Sequence, residues 1–213
     1  MSRFAWVLMA VVATGWAGSV AAAGNAANGQ AKSAACGACH GMDGNSVNPD
    51  WPKLAGQVPE YLVKQLHDFK AGRRSNETMS PMAQPLSSQD IEDLAAYFSS
   101  QKVVPGEAKA DLRARGEQIY LKGKHRPAVT ACIGCHGPGG AGNQDWGKSL
   151  SAPPAVLAPA IGGQQAAYVA RQLQDYKSKA RSNDVGRVMR DISSRLSDED
   201  ILAVAEYITS LKH

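Results

Sequence analysis

Two short strings constrain this chain more than anything else in it. Cys36-Gly37-Ala38-Cys39-His40 and Cys132-Ile133-Gly134-Cys135-His136 are both C-x-x-C-H, and together they use all four cysteines. The string is the attachment signature of a c-type haem. Two thiols at this spacing can add to the two vinyl groups of one porphyrin. The adjacent histidine is then held under the iron, where a neutral imidazole is a suitable ligand. A redox-active C-x-x-C needs neither the histidine nor a second copy. A four-cysteine zinc ribbon sets its pairs about 15–20 residues apart, whereas 92 residues separate Cys39 from Cys132. The expectation is therefore two covalently bound haem c groups, held by Cys36 and Cys39 and by Cys132 and Cys135, with His40 and His136 as iron ligands.

The N-terminus reads as an export signal. Arg3 supplies the positive end, Phe4 to Ala13 is apolar or small, and Ala21-Ala22-Ala23 offers a cleavage site before Gly24. An uncleaved anchor is the alternative. The apolar run is short for one, and Gly15, Gly18 and Ser19 dilute its far end. Cleavage after Ala23 would leave a periplasmic protein, since no later stretch is long and apolar enough to span a bilayer. Residues 24–104 carry 7 Lys/Arg against 8 Asp/Glu, and residues 105–213 carry 15 against 11. This imbalance is too weak and dispersed for nucleic acid. It is either a charge dipole that steers docking or an ordinary solvated surface.

The motifs recur because the chain repeats. Cys36 and Cys132 lie 96 residues apart. Leu54-Ala55-Gly56-Gln57 matches Ile161-Gly162-Gly163-Gln164 at an offset of 107, as do Tyr61 and Tyr168, Phe69 and Tyr176, and Arg74-Ser75-Asn76 and Arg181-Ser182-Asn183. The offset then becomes 110, pairing Met79 with Met189, Leu86-Ser87 with Leu196-Ser197, and Tyr97 with Tyr207. The second copy thus holds insertions of 11 and 3 residues, the first in the Gly- and Pro-rich stretch from Gly137 to Pro159, which reads as a loop. The expected organisation is a signal peptide over 1–23 and tandem domains over 24–104 and 105–213, with a linker near Gln101 to Gly106.

Helical patterns dominate and no convincing period-2 strand is present. Glu60–Lys70 and Ala166–Lys177 follow turn residues, with Leu62, Leu66 and Phe69 at helical spacing. A further helix starts around Glu107. Ser87-x-x-Asp90 and Ser197-x-x-Asp200 resemble capping boxes with Asp in place of Glu. Behind them run apolar stripes of Ile91, Leu94, Ala95 and Phe98, and of Ile201, Val204, Ala205 and Ile208. The expected fold is all-α, with short helices and long loops around each haem.

The sixth iron ligand decides between carrying electrons and binding substrate. Met79 and Met189 share one repeat position downstream of each haem motif, and His/Met ligation raises haem potential in electron-transfer cytochromes. Met82 aligns with Ile192, which cannot ligate, so Met79 is preferred. Met42 sits too close behind the first motif to reach the opposite face. His67, His125 and His213 do not recur at equivalent positions, although His67 or His125 could give bis-His ligation of one haem. Pro52 and Pro159 precede the Leu54 and Ile161 repeats by two residues. Each either offers its carbonyl to the proximal histidine or simply stiffens the loop.

The order of C-x-x-C-H-G, Pro52-Lys53-Leu54-Ala55-Gly56-Gln57, Tyr61-Leu62 with Gln65-Leu66, Met79-Ser80-Pro81-Met82-Ala83, and Leu86-Ser87 with Asp90-Ile91 through Tyr97 resembles cytochrome c4. That family comprises dihaem class I cytochromes c, and the resemblance covers nearly all of residues 24–213. It implies two class I cytochrome c domains related by a pseudo-twofold axis, each wrapped around one haem. Matched position by position, the iron ligands would be His40, Met79, His136 and Met189. It further implies a periplasmic respiratory electron carrier that works by outer-sphere one-electron transfer, between donors such as a cytochrome bc1-type complex and a terminal oxidase, with loose association to the cytoplasmic membrane. The rivals are a dihaem peroxidase, a dihaem thiosulfate dehydrogenase, and a cytochrome subunit of a larger complex. A peroxidase needs an iron that can open a coordination site. A dihaem thiosulfate dehydrogenase uses a distal cysteine, and this chain has no fifth cysteine.

Overall fold

The computed structural model describes residues 24–142 and 158–213. The export signal and its Ala23 cleavage site lie outside the described residues, as does most of the loop expected between Gly137 and Pro159. The first half runs α1 (Ala26–Lys32), α2 (Ala34–His40), α3 (Pro59–Lys70), α4 (Met79–Ala83) and α5 (Ser88–Ser99). The second half runs α6 (Ala110–Lys122), a hairpin of β1 (Lys124–His125) and β2 (Ala128–Val129), α7 (Ile133–His136), α8 (Ala166–Ser178), α9 (Val188–Ser193) and α10 (Asp198–Thr209). The all-α expectation holds, apart from this two-residue antiparallel ladder pairing Lys124 with Val129 and His125 with Ala128. Strands this short carry no readable alternation. The linker ends later than expected, and α6 begins at Ala110 rather than near Glu107.

Both capping boxes form. The Ser87 hydroxyl accepts from the Asp90 N–H and the Asp90 carboxylate accepts from the Ser87 N–H, and Ser197 and Asp200 do the same. Each box satisfies donors that a helix start leaves orphaned. It also fixes the rotation of α5 and α10, which turns their apolar stripes inward. Ile91, Leu94, Ala95 and Phe98 are buried in the first half, and Ile201, Val204, Ala205 and Ile208 in the second. Each large apolar side chain buried this way contributes about 1.5–3 kcal/mol.

Each half closes by crossing its first described helix over its last. At the crossings the backbones meet through glycine. A Cβ on Gly29 would lie 2.0 Å from the Asp93 carbonyl oxygen, and one on Gly116 would lie 2.1 Å from that of Ala203. The two glycines are 87 residues apart, not 96, because the β1–β2 hairpin is inserted between the crossing helix and the second haem motif. Lys32 pairs with the buried Asp93 at 2.8 Å, and the Asn25 N–H donates to the same carboxylate at 2.9 Å, which ties α1 to α5.

The halves join through reciprocal contacts at the 107-residue offset. The Gln57 amide donates to the Ala160 carbonyl and accepts from the Ala160 N–H, both at 2.8 Å. The Gln164 amide donates to the Lys53 carbonyl at 2.9 Å and accepts from the Lys53 N–H at 2.8 Å. Gln57 and Gln164 are repeat partners, as are Lys53 and Ala160. This reciprocity is what a pseudo-twofold axis requires.

Candidate functional site

The haem motifs occupy helix ends. Cys36, Cys39 and His40 lie on α2, Cys132 caps α7, and Cys135 and His136 lie on α7. Directly after each histidine comes a glycine with positive φ, +81° at Gly41 and +76° at Gly137. Only glycine adopts that region without penalty, so each helix stops at its histidine. The chain then doubles back. The Leu54 N–H donates to the Gly44 carbonyl and the Ile161 N–H to the Gly140 carbonyl, each at 2.7 Å.

That return brings the two prolines to the histidines. His40 Nδ1 lies 2.8 Å from the Pro52 carbonyl oxygen, and His136 Nδ1 lies 2.9 Å from that of Pro159. Of the two roles open to these prolines in the sequence, the carbonyl acceptor is the one realised. A ring nitrogen that donates to a carbonyl fixes the tautomer and leaves Nε2 for a metal. Burial lowers the pKa of both imidazoles, against the raising effect of the carbonyl bond. Both rings are therefore neutral near neutral pH, the form that ligates.

The four cysteines are unpaired. Burial pushes the Cys36 thiol up and the Cys132 thiol to about 11. All four open onto one cavity of about 1000 Å³ that His40, His136, Met79 and Met189 also line. Protein interiors are packed like organic crystals, with few voids larger than a water molecule. A void this large between two helical cores is shaped for a bulky apolar group, and the thiols and buried imidazoles on its wall match the donor set of covalent haem. Among the described residues, no group of three or more His, Cys, Asp or Glu side chains could hold an ion unaided.

Met79 opens α4, and Met189 lies in α9 against the second core. Met82 also borders the cavity but is exposed, as is Met42. His67, His125 and His213 are not among the residues around the cavity. Gln57, Tyr61, Arg74 and their repeat partners match in the sequence without a motif that assigns them a role. The structure places them at the junction of the halves. The signal was there, since polar residues kept at one repeat position among apolar neighbours mark a shared polar contact.

Two class I-like helical halves, each ending a short helix on C-x-x-C-H with a buried imidazole aimed into a common cavity, define a dihaem c-type cytochrome. The cytochrome c family model matches residues 26–102 and again 114–212. Cytochrome c4 of Pseudomonas aeruginosa is 46% identical over 198 residues, covering 92% of this chain and 94% of that protein. The crystal structure of reduced recombinant cytochrome c4 from Pseudomonas stutzeri superposes with a TM-score of 0.81 at 46% identity, covering 89% of this chain and 100% of that one. A thiosulfate dehydrogenase electron acceptor of Thiomonas intermedia is 37% identical over 186 residues, covering 84% of this chain and 79% of that protein. The chain belongs to the cytochrome c4 family. It binds two haem c groups covalently and is an electron-transfer protein.

Proposed function

We propose that this chain is a periplasmic shuttle of a respiratory chain, taking electrons from a donor such as a cytochrome bc1-type complex and passing them toward a terminal oxidase. In this reading residues 1–23 are removed on export, and residues 24–104 and 105–213 each hold one haem. His40 and Met79 ligate the first iron, and His136 and Met189 the second. The haems, when bound, supply the one-electron iron couple. The chain's residues keep that couple closed to substrate. The Pro52 and Pro159 carbonyls hold the imidazoles in the ligating tautomer. The thioether sulfurs of Met79 and Met189 fill the remaining positions and favour the reduced state. The apolar wall limits water, and the Gln57 and Gln164 contacts hold the two halves at a fixed separation. The observation that carries this reading is the pairing of Met79 with Met189 on the wall of the cavity that both histidines face.

A second reading concerns the donor. Relatives named thiosulfate dehydrogenase electron acceptor match this chain over 84% and 83% of its length, so thiosulfate-derived electrons are a second supply. On this reading the chain is the acceptor, because it lacks the extra cysteine of a catalytic thiosulfate site. The test is redox stoichiometry on the purified holoprotein. Reversible uptake and release of two electrons per chain, without turnover of peroxide or thiosulfate alone, is expected. Turnover of either by the isolated protein contradicts the carrier assignment.

A further inference from the structure

The second half carries one element that the first lacks. In the first half α1 passes to α2 through Ser33 alone. In the second half the β1–β2 hairpin stands between α6 and α7. A ladder of two residue pairs is not stable by itself, so the fold holds it from outside. Lys124 pairs with the buried Asp200 of α10. Arg195, in the turn between α9 and α10, donates to the Ala128 carbonyl at 3.0 Å. At the base, Gly123 passes so close to the returning strand that a Cβ would lie 2.1 Å from the Val129 carbonyl oxygen. These anchors fix the turn at Arg126-Pro127 against the body of the second half.

The hairpin presents positive charge. Lys122 precedes it, Arg126 lies in its turn and Arg195 lies against it, and all three are exposed. Among the described residues, the acids around them are engaged by other cations. Asp200 is held by Lys124 and by Arg115 at 2.7 Å, and Glu199 by Arg115 at 3.0 Å. Asp198 pairs with Lys177 at 2.8 Å, and Asp191 faces Arg187 at 3.8 Å. Glu117 lies five positions before Lys122 on α6, off the i,i+4 row that would let the two pair.

This charge stands beside the second haem motif. From Val129 the chain needs three residues to reach Cys132, at most about 11 Å of extended backbone. That is close to the Debye length of about 8–10 Å at physiological ionic strength. Thr130 and Ala131, between them, lie on the wall of the cavity that Cys132 and His136 also line. The first motif has no such neighbour. Its flank is Ala34, Ala35 and Ala38, exposed and neutral, and Lys32 before it is paired with Asp90 at 2.6 Å and Asp93 at 2.8 Å.

We propose that the hairpin, with Lys122 and Arg195, is a docking lip that brings the acidic face of a redox partner protein to the second haem, and so makes the second half the port for that partner. This rests on the two-haem carrier reading above. Complementary charge acts mainly on the rate of encounter, so a partner with an acidic surface meets the second haem before the first. An anionic bilayer also attracts cations, but a segment that lies on a membrane buries an apolar face in it. Val129, the hairpin's one branched apolar side chain, is buried in the core instead. A protein face is the occupant that fits.

The experiment is stopped-flow reduction of the oxidised holoprotein by an acidic plant-type two-iron ferredoxin, whose low potential supplies the driving force, over a series of salt concentrations. Lys122→Gln with Arg126→Gln is expected to slow the reaction about tenfold at low ionic strength and to flatten its salt dependence. Arg195 is left in place because it also anchors the hairpin. Lys102→Gln with Lys109→Gln removes the same net charge near the start of α6, about 20 Å from its end, and is expected to change the rate less than about twofold. Reduction by a neutral hydroquinone is expected to be the same in all of these proteins. Should the hairpin double variant bind fewer than two haems, Arg126→Gln alone decides, with an expected loss of about threefold. An unchanged ferredoxin rate in the hairpin variant, or an equal loss in the control variant, overturns the proposal. So does hairpin-dependent flotation with phosphatidylglycerol vesicles at an unchanged ferredoxin rate, which assigns the lip to a membrane. Failure of the carrier reading has a different signature, turnover of peroxide or thiosulfate by the unmodified protein.

Discussion

At the residue scale, the function depends on which side chain closes each iron. Met79 and Met82 both border the cavity, three positions apart, and although Met82 is the more exposed, a place on the wall does not choose between them. The repeat does, because only Met79 has a methionine as its partner. Met79→Ala and Met189→Ala should each remove the sulfur-to-iron absorbance of one haem while leaving the other intact, and Met82→Ala should remove none. Oxidised-state optical spectra of the three variants check this. His67→Ala should likewise leave the spectrum unchanged, since His67 is not part of the cavity wall. The proline carbonyls show what one sequence can and cannot give. Their repeat positions nominated Pro52 and Pro159, but whether each served as acceptor or as stiffener depended on where Gly41 and Gly137 turned the chain.

At the element scale, the helices that bear caps and stripes were legible and those that lack them were not. The last helix of each half announced itself through Ser87 and Asp90 and through Ser197 and Asp200. The first helix among the described residues has seven residues, mostly Ala, Gly, Asn and Gln, and shows no apolar stripe. It exists because Gly29 lets it cross the last helix at backbone contact. That glycine was invisible as a repeat feature because the Lys124–Val129 hairpin shifts its partner to Gly116. Gly29→Ala or Gly116→Ala should cost at least about 1–3 kcal/mol, since overpacking at a backbone contact cannot be relieved by a rotamer change. Thermal melts of the holoprotein check this, with both haems still attached. The Lys32–Asp93 tie makes the same crossing acid-sensitive. Hydrogen bonds from the Asn25 N–H, Lys32 and Gln89 hold the Asp93 carboxyl down to about 2. A carboxyl depressed in the fold contributes stability above its unfolded value of about 3.9 and loses it as pH falls toward the folded one. Asp93→Asn should therefore flatten the loss of stability between about pH 4 and pH 2, as chemical denaturation across that window would report.

At the scale of the whole molecule, the fold is two copies of one haem-binding unit held by contacts that the repeat itself encodes. Gln57 and Gln164 each satisfy a backbone donor and a backbone acceptor of the opposite half. Removing one amide leaves both groups buried without partners, at about 1–3 kcal/mol for each. Gln57→Ala combined with Gln164→Ala should split the thermal unfolding of the holoprotein into two calorimetric transitions, where the parent shows one. The duplicated architecture is readable from offsets of 96, 107 and 110 residues, while the face on which the copies meet emerges only in the fold, because no single-copy pattern distinguishes a polar interface from polar surface. Both cofactor sites open on one cavity, which sets two one-electron sites side by side in the molecule. In the proposed function both haems are closed by histidine and methionine. A potentiometric titration of the intact holoprotein, followed through the sulfur-to-iron absorbance, separates this arrangement from its rivals. Two one-electron steps are expected, both at the high potentials of His/Met haems, each removing its share of that absorbance. A low-potential step, or a haem that titrates with no sulfur-to-iron absorbance, would contradict it.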